Sequence, residues 1–299
     1  LLTKFNLDFT FTKNLKYNFF PRPHFIIKES SIIQNQKNIS DIDSLKIFVS
    51  LNSLFSLKNI NINEVILENA NFELDYKNYN FFLKLLNNNF LNTNFKIKNS
   101  NIFFRNSESE VLFINKIDSL KYYHDPNELK NILYAENEIF NTQYSLEVID
   151  RKDEKKIYTN LQLGIVKLEI ENVFDYNGDI KLGLATILFD NTKSIINYKT
   201  NKNFLDFEYY NELDKQKFLY NVKLNFNPFY STFEGDTNEI NLSYLFGTNA
   251  IIAELLKTEI FNSKKIDLKL NINANKIVDN RNFKNLFLKS KIQDGLIDI

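Results

Sequence analysis

Hydrophobic and polar residues alternate along most of this chain. The opening segment shows the pattern clearly, because single polar residues separate Phe5, Leu7, Phe9 and Phe11. A period of two is typical of a half-buried β-strand, since successive side chains point to opposite faces. Comparable segments occupy residues 45–51, 111–123, 144–148, 161–188, 195–210, 218–226 and 266–272. The pattern therefore predicts a mainly β protein.

The alternation changes phase at Asn69-Ala70. Val65 and Leu67 share one parity before this point, and Phe72 and Leu74 share the other parity after it. A two-residue hairpin turn would explain the change, because directly opposite residues of an antiparallel pair point to the same face. The segment therefore predicts a hairpin that keeps one apolar face continuous across two strands.

Three other segments have the same shape. They are residues 27–32, the segment from Phe95 to Phe104 around Asn99-Ser100, and residues 292–299 around Asp294-Gly295. The last has the strongest turn signal, since both central positions of a type I′ turn need a positive φ angle. Four such hairpins predict a repeated antiparallel β-meander with one apolar face.

A few segments depart from this period. Residues 81–91 and 249–261 have apolar residues at helical spacing, and Asp125-Pro126-Asn127-Glu128 is a helix-start pattern. We therefore expect short helices there. The helix at 249–261 is too short to cross a bilayer, so it either caps one apolar end of the sheet or contacts a membrane surface. Residues 34–43 are polar and predict a loop.

The composition argues against several classes of protein and of binding site. Lys plus Arg and Asp plus Glu both total 37, so the chain lacks the basic excess expected of a protein that binds nucleic acid. The chain has no Cys, which excludes disulfide bonds and thiolate metal sites. No apolar run reaches the length of a membrane-spanning helix.

The sequence contains no recognisable motif of an enzyme active site. His24 and His124 are the two histidines, and neither has a second histidine at metal-ligand spacing. Acidic pairs such as Asp175 and Asp179 lie in predicted turns, where Asp is common. Gly-rich phosphate loops and nucleophile elbows are also missing from the sequence. The sequence therefore predicts no catalytic residue, no metal and no cofactor.

The order of several motifs resembles the AsmA family of Gram-negative envelope proteins. A Phe-rich opening strand precedes Phe19-Phe20-Pro21-Arg22-Pro23, and the segments at residues 44–51 and 65–72 follow in the family's order. The likeness is best over residues 1–106, and it returns over residues 242–299. The chain begins without Met and stops within a strand pattern, so we expect residues 1–299 to be one elongated β-groove region of a longer protein.

The resemblance implies a function that composition alone does not. Members of the family are anchored in the inner membrane by one N-terminal helix, which would precede Leu1, and their β-rich body lies in the periplasm. They are similar to bridge-like lipid transfer proteins, whose strands curl into a long groove lined with apolar side chains, and they support outer-membrane lipid homeostasis and assembly. The resemblance therefore implies that the chain is a long curved antiparallel β-meander that forms a one-sided apolar groove. The resemblance thus implies that phospholipid acyl chains and envelope proteins are the partners, with no catalytic residues.

Candidate groove residues are the apolar positions of the strongest alternating segments. They are Phe5, Leu7, Phe9, Phe11, Val65, Leu67, Phe72, Leu74, Phe95, Ile97, Ile102, Phe104, Leu268, Leu270 and Ile272. Two alternatives remain open. These faces could pack on one another as a sandwich core, and the chain could be a structural or adhesin-like module that binds another protein without carrying lipid.

Overall fold

A computed structural model shows the fold of most of the chain. It describes residues 8–11, 15–34, 37–51, 61–75, 77–79, 93–106, 108–189, 191–201, 204–211, 216–227, 230–243, 267–278, 282–293 and 296–298. Strands account for most of these residues and helix for hardly any, so the mainly β prediction is confirmed. The strands belong to two compact units, residues 1–138 and 139–299. The single elongated region stays a prediction.

The first unit contains eight strands. They are β1 (Asp8–Phe11), β2 (Leu15–Asn18), β3 (His24–Gln34), β4 (Lys37–Val49), β5 (Ile62–Leu74), β6 (Asn94–Arg105), β7 (Val111–Asp125) and β8 (Lys130–Ile139). β3 pairs with β4 on one side and with both β1 and β2 on the other. β4 pairs with β5, β5 with β6, and β6 with β7. Because β4 begins at Lys37, the loop predicted at residues 34–43 is wrong.

Three of the four predicted hairpins are also wrong. Each segment is one uninterrupted strand, β3, β5 or β6, and each strand kinks where the phase changes. The kink residues are Glu29, Asn69 and Asn99, whose φ angles are 55°, 52° and 47°. One left-handed residue turns the strand about its axis, so side chains that are three positions apart point to the same face. The apolar face is therefore continued within one strand.

The kinks are aligned across neighbouring strands. Each antiparallel ladder lacks one pair of opposite residues at the kink. The missing pairs are Glu29 and Asp43, Asp43 and Asn69, and Asn99 and Asp118. The register on both sides of each missing pair is unchanged. The same line runs between β5 and β6, where pairing skips from Glu68 to Asn71. Five strands thus change phase together along one transverse line, which we call the kink line.

A small buried residue follows each of these three left-handed kink residues. Ser30, Ala70 and Ser100 are at most 2% exposed. The Ser100 hydroxyl accepts a hydrogen bond from the Ala70 amide at 3.0 Å and donates one to the Lys98 carbonyl at 2.7 Å. The side-chain oxygen thus satisfies a backbone amide where ladder pairing lapses, which a buried amide requires.

The fourth predicted hairpin is confirmed by its strands. β18 and β19 pair antiparallel, with Gln293 opposite Leu296 and Ile292 opposite Ile297. Asp294 and Gly295 themselves lie outside the described residues. This is the one segment of the four that contains Gly, the residue that adopts a positive φ at no steric cost.

Two strand pairs are parallel, which corrects the prediction of an antiparallel meander. β5 pairs with β6, and β16 (Tyr230–Ile240) pairs with β17 (Asp267–Ile277). A parallel pair needs a crossover connection of a dozen or more residues, usually a helix. The predicted helices at residues 81–91 and 249–261 fall within these two connections, but they lie outside the described residues.

Both crossovers begin with a capping side chain. The Asp75 carboxylate accepts hydrogen bonds from the amides of Lys77 and Asn78, both at 2.9 Å. Asn241 accepts one from the Ser243 amide at 3.0 Å. Asp and Asn are preferred at such positions, because they satisfy amides that lack a partner within the first turn.

The helix predicted at Asp125 is wrong. The Asp125 carboxylate does accept hydrogen bonds from the amides of Asn127 and Glu128, at 2.9 and 3.3 Å. However, the chain turns over residues 126–129 and enters β8 at Lys130. The same capping chemistry serves a turn here, as it commonly does for Asp.

The second unit contains the remaining strands. They are β9 (Thr142–Arg151), β10 (Lys156–Leu163), β11 (Leu168–Asp175), β12 (Lys181–Phe189), β13 (Thr192–Thr200), β14 (Phe204–Asn211), β15 (Gln216–Asn227), β16, β17, β18 (Leu286–Gln293) and β19 (Leu296–Asp298). Each strand pairs with the next one along the chain, and all pairs except β16–β17 are antiparallel.

Candidate apolar binding face

A row of aromatic side chains crosses the second unit on one face of its strands. The register aligns Phe174, Gly183, Tyr198, Phe207 and Tyr220 from β11 to β15. Residues directly opposite in a ladder point to the same face, so the four aromatic side chains form one stripe, which we call the aromatic row. All four are half-buried.

The rings of the aromatic row stack in two pairs. The ring centroids of Phe207 and Tyr220 lie 4.7 Å apart with an interplanar angle of 18°. Those of Phe174 and Tyr198 lie 6.4 Å apart with an angle of 21°, although β12 runs between their strands. Gly183 on β12 has no side chain to separate them, and a Cβ atom added there would overlap the Tyr198 ring. The gap at Gly183 thus allows the second stack.

The phenol groups of this row are uncharged at neutral pH. Burial raises the pKa of Tyr220 to about 12, and the neighbouring Tyr209 adds to the shift. Burial also raises the pKa of Tyr198, although its hydroxyl donates a hydrogen bond to the Asn172 side chain at 2.9 Å. The row therefore presents ring surface with neutral polar tips.

The candidate residues of β17 lie on the same face as the aromatic row. Tyr220 of the row pairs with Thr237, and Thr237 pairs with Ala274 of β17, so Ala274 points to the face of the row. Leu268, Leu270 and Ile272 precede Ala274 at every second position, so they point to the same face. We call these last three the β17 residues. All three are half-buried, so part of each side chain still contacts solvent. The structure therefore aligns them with aromatic residues that are distant in sequence.

Neighbouring strands extend the apolar surface around Leu270. Phe233 and Ser290 flank it in the ladder, and Leu224 lies beyond Phe233. Of these, Leu224 and Phe233 are half-buried like Leu270 itself. Apolar contacts thus continue across three adjacent strands.

The opposite face of the same strands carries charged and polar residues together with exposed leucines, Leu182, Leu184 and Leu219. Lys199, Asp206, Asn221 and Asp236 alternate with the aromatic row and are exposed. A cleft of about 610 Å³ is lined by these four and also by Tyr198, Phe207 and Tyr220 of the aromatic row. Its lining carries charges of both signs, and burying such groups beneath a hydrocarbon chain is unfavourable. The cleft thus brings aromatic rings of one face together with charged side chains of the other.

The candidate residues of the first unit are placed differently. Val65, Leu67 and Ile97 belong to one buried core cluster, and they are 2%, 1% and 9% exposed. Phe72 is buried in the same cluster, and the half-buried Phe95 and Ile102 pack against it. The structure thus brings these six residues together, but it closes most of their surface to solvent.

The other described candidates of the first unit lie on β1, β5 and β6. Leu74 and Phe104 are register partners, and the Phe104 ring stacks on Phe113 with 4.2 Å between centroids. Phe9 and Phe11 lie on β1 opposite Ile32 and Ser30. Phe5 and Leu7 lie outside the described residues.

Sequence reasoning missed the aromatic row. Its members lie in segments whose alternation predicts strands, but none of them is among the candidate groove residues. The signal was present in β14, where Leu205, Phe207 and Tyr209 alternate with Asp206 and Glu208. Alternation gives the face of a residue within its own strand, whereas strand register determines which aromatic residues meet.

The two histidines make local contacts. His24 donates a hydrogen bond to the Arg22 carbonyl at 2.7 Å and stacks on Phe48, and His124 bonds to the Asn131 amide oxygen at 2.9 Å. Within the described residues, no group of three or more His, Cys, Asp or Glu is placed to hold a metal ion. Among the same described residues, no helix is long and apolar enough to span a bilayer.

Comparison with known proteins does not identify the chain. It matches no family model, and no curated protein matches it. The resemblance to the AsmA family therefore stays a prediction that rests on motif order.

Proposed function

We propose that this protein is a non-enzymatic, AsmA-type carrier that holds phospholipid acyl chains against the aromatic face of its second unit. In this proposal an N-terminal helix preceding Leu1 anchors it in the inner membrane, and the β-rich body lies in the periplasm. Its role there is to support outer-membrane lipid homeostasis and assembly, together with other envelope proteins.

The observation that carries the proposal is the incomplete burial of one apolar face. The aromatic row and the β17 residues lie on one side of the strands and are half-buried, while the opposite side is more exposed and carries charged and polar residues together with leucines. An apolar face that remains in contact with water favours an apolar ligand. In the first unit the candidate residues Val65, Leu67, Phe72 and Ile97 are buried in the core, so the second unit is the better place for the ligand.

Energetics favour binding without chemistry. Each methylene that leaves water for an apolar surface contributes about 0.8 kcal/mol. Transfer from a bilayer exchanges one apolar environment for another, so this step is nearly neutral in free energy. A lipid could therefore move along the face while its head group stays in water.

Two measurements test the proposal. The purified chain, extracted with organic solvent, should release phospholipid that mass spectrometry detects at a near-stoichiometric level. A fluorescent fatty acid should bind and then be displaced by phospholipid. Absence of co-purified lipid together with absence of fatty-acid binding would contradict the proposal.

A structural module that binds another protein is the second candidate. The closed core of the first unit favours it, because Leu45, Leu67 and Ala70 are at most 1% exposed and hold no open apolar surface. If this were the main role, the chain would bind an envelope protein with no change when the β17 residues are altered. Pull-down experiments with a Leu270→Gln variant distinguish the two roles.

A further inference from the structure

Two neighbouring aromatic side chains project into solvent from the first unit. Phe19 is 62% exposed and Phe20 is 85% exposed. They lie between the end of β2 at Asn18 and the start of β3 at His24. Phe is usually buried, and a pair of adjacent rings exposed to this extent is unfavourable in water.

The segment that carries these rings is held firmly. Arg22 forms an ion pair with Glu64 at 2.5 Å, and its guanidinium lies 4.6 Å from the centre of the Phe48 ring. The Pro23 carbonyl accepts a hydrogen bond from the Val49 amide at 3.1 Å. Glu64 is also paired with Lys96, and its side chain is only 4% exposed. The fold thus fixes the backbone directly after the rings.

Other apolar residues are exposed at the same end of the strands. Tyr17 lies on β2, just before the two Phe residues, and it is 43% exposed. Leu51 is 56% exposed and follows two residues after Val49, which is bonded to Pro23. The exposed apolar residues therefore surround a protruding tip at the strand ends. We call Tyr17, Phe19, Phe20 and Leu51 the tip residues.

We propose that the tip residues insert into the interface of a phospholipid bilayer. Protruding rings suit a fluid interface, which closes around them, whereas a protein partner would need a matching cavity. Aromatic residues are enriched at membrane interfaces, and Phe and Leu form the inserted side of peripheral membrane-binding segments. This surface belongs to the first unit, and its role does not depend on acyl-chain binding by the second.

Apolar contact drives this insertion more than charge does. Arg22 is the cation nearest the rings in sequence, and it is held in the ion pair with Glu64. We therefore expect similar binding to neutral phosphatidylcholine vesicles and to vesicles that also contain anionic phosphatidylglycerol. Salt should change binding little, because surface charges are screened but apolar burial is not.

Vesicle flotation with the full chain tests the proposal. The double variant Phe19→Ser with Phe20→Ser should lower the partition coefficient onto vesicles at least about tenfold, since burying one Phe side chain is worth more than that factor. The matched control is Phe283→Ser with Phe287→Ser, which removes two rings that are 63% and 70% exposed in the second unit. The control should bind like the unaltered chain.

A fluorescence experiment gives an independent readout. The chain has no Trp, so Phe20→Trp introduces a single reporter. Its emission should shift to shorter wavelength when vesicles are added, and brominated lipid should quench it, whereas the emission of Phe287→Trp should not change. Equal losses in both double variants, or an unshifted Phe20→Trp spectrum with vesicles present, would overturn the proposal. Fatty-acid binding should be unchanged in the Phe19 and Phe20 variants, which separates this surface from the acyl-chain site.

Discussion

The ring of Tyr198 occupies the space over Gly183 into which any other side chain would project. This position also brings Tyr198 into contact with the Phe174 ring and the Asn172 amide, which lie on the strand beyond Gly183. One missing side chain therefore couples three adjacent strands, β11, β12 and β13.

Gly183→Ala should destabilise the second unit. The added methyl group displaces the Tyr198 ring, and the loss of its stacking and hydrogen bond should cost about 1–2 kcal/mol. Urea unfolding measures this change. Gly164→Ala is the matched control, because a Cβ atom at Gly164 meets nothing within 4 Å.

A double-mutant cycle tests the cause. If the Tyr198 ring is the obstacle, Gly183→Ala should be neutral or slightly stabilising in a Tyr198→Ala background, where Ala restricts the unfolded chain. An equal loss of stability in both backgrounds would show that the backbone of β12, and not the ring, resists the substitution.

The kink line makes a second prediction. Asn69 has a φ of 52°, so Asn69→Val should destabilise the first unit by about 1–2 kcal/mol, because a β-branched residue is strained in the left-handed region. Asn69→Gly should leave stability nearly unchanged. Thermal unfolding of both variants checks the expectation.

Asn71→Val is the control for the kink. Asn71 is exposed on the same strand and is not among the positive-φ residues, and it loses only an exposed hydrogen bond to Asn101. If Asn71→Val and Asn69→Val destabilise equally, side-chain chemistry and not backbone strain determines the cost.

The ion pairs of Glu64 predict an acid-dependent loss of stability. Burial of Glu64 alone would raise its pKa, but hydrogen bonds and charges from Lys96 and Arg22 outweigh burial and hold the pKa below its ordinary value of 4.5. A carboxyl whose pKa is lowered on folding stabilises the folded state above its unfolded pKa. That contribution is lost as the pH falls through the folded pKa.

Glu64→Gln should remove this dependence. At neutral pH the variant should be less stable by about 1–3 kcal/mol, the value of hydrogen bonds to a charged group. The difference from the unaltered chain should shrink as the pH falls below 4.5. Glu239→Gln is the control, because the Glu239–Lys276 pair is exposed on both sides. A difference that stays constant from pH 7 to pH 3 would exclude the electrostatic explanation.

The alternation of apolar and polar residues predicts most of the strands, but the four phase changes correspond to two different structures, a kink within one strand and a hairpin turn. Asn69-Ala70 and Asn99-Ser100 contain a single residue that tolerates a positive φ, which is enough for a kink within a strand. A type I′ turn needs two such residues, and Asp294-Gly295 supplies them. The wrong hairpins could therefore have been recognised from the second residue of each pair.

The parallel pairs and the aromatic row depend on information that is not local. Nothing in the alternation of β5 and β6 shows that they run in the same direction, because that depends on the length of the connection between them. Likewise, Phe174 and Tyr198 meet only because Gly183 lies between them in the ladder. Only the register between strands shows which residues that are distant in sequence are neighbours in the sheet.

The most direct test of the central claim is photo-crosslinking from opposite faces of the second unit. Benzoylphenylalanine would replace Leu270 on the aromatic face in one variant and Leu219, which is 58% exposed on the opposite face, in the other. After irradiation with phospholipid, mass spectrometry should find a lipid adduct at position 270 and none at position 219. Equal adducts at both positions, or none at position 270, would contradict acyl-chain binding on the aromatic face.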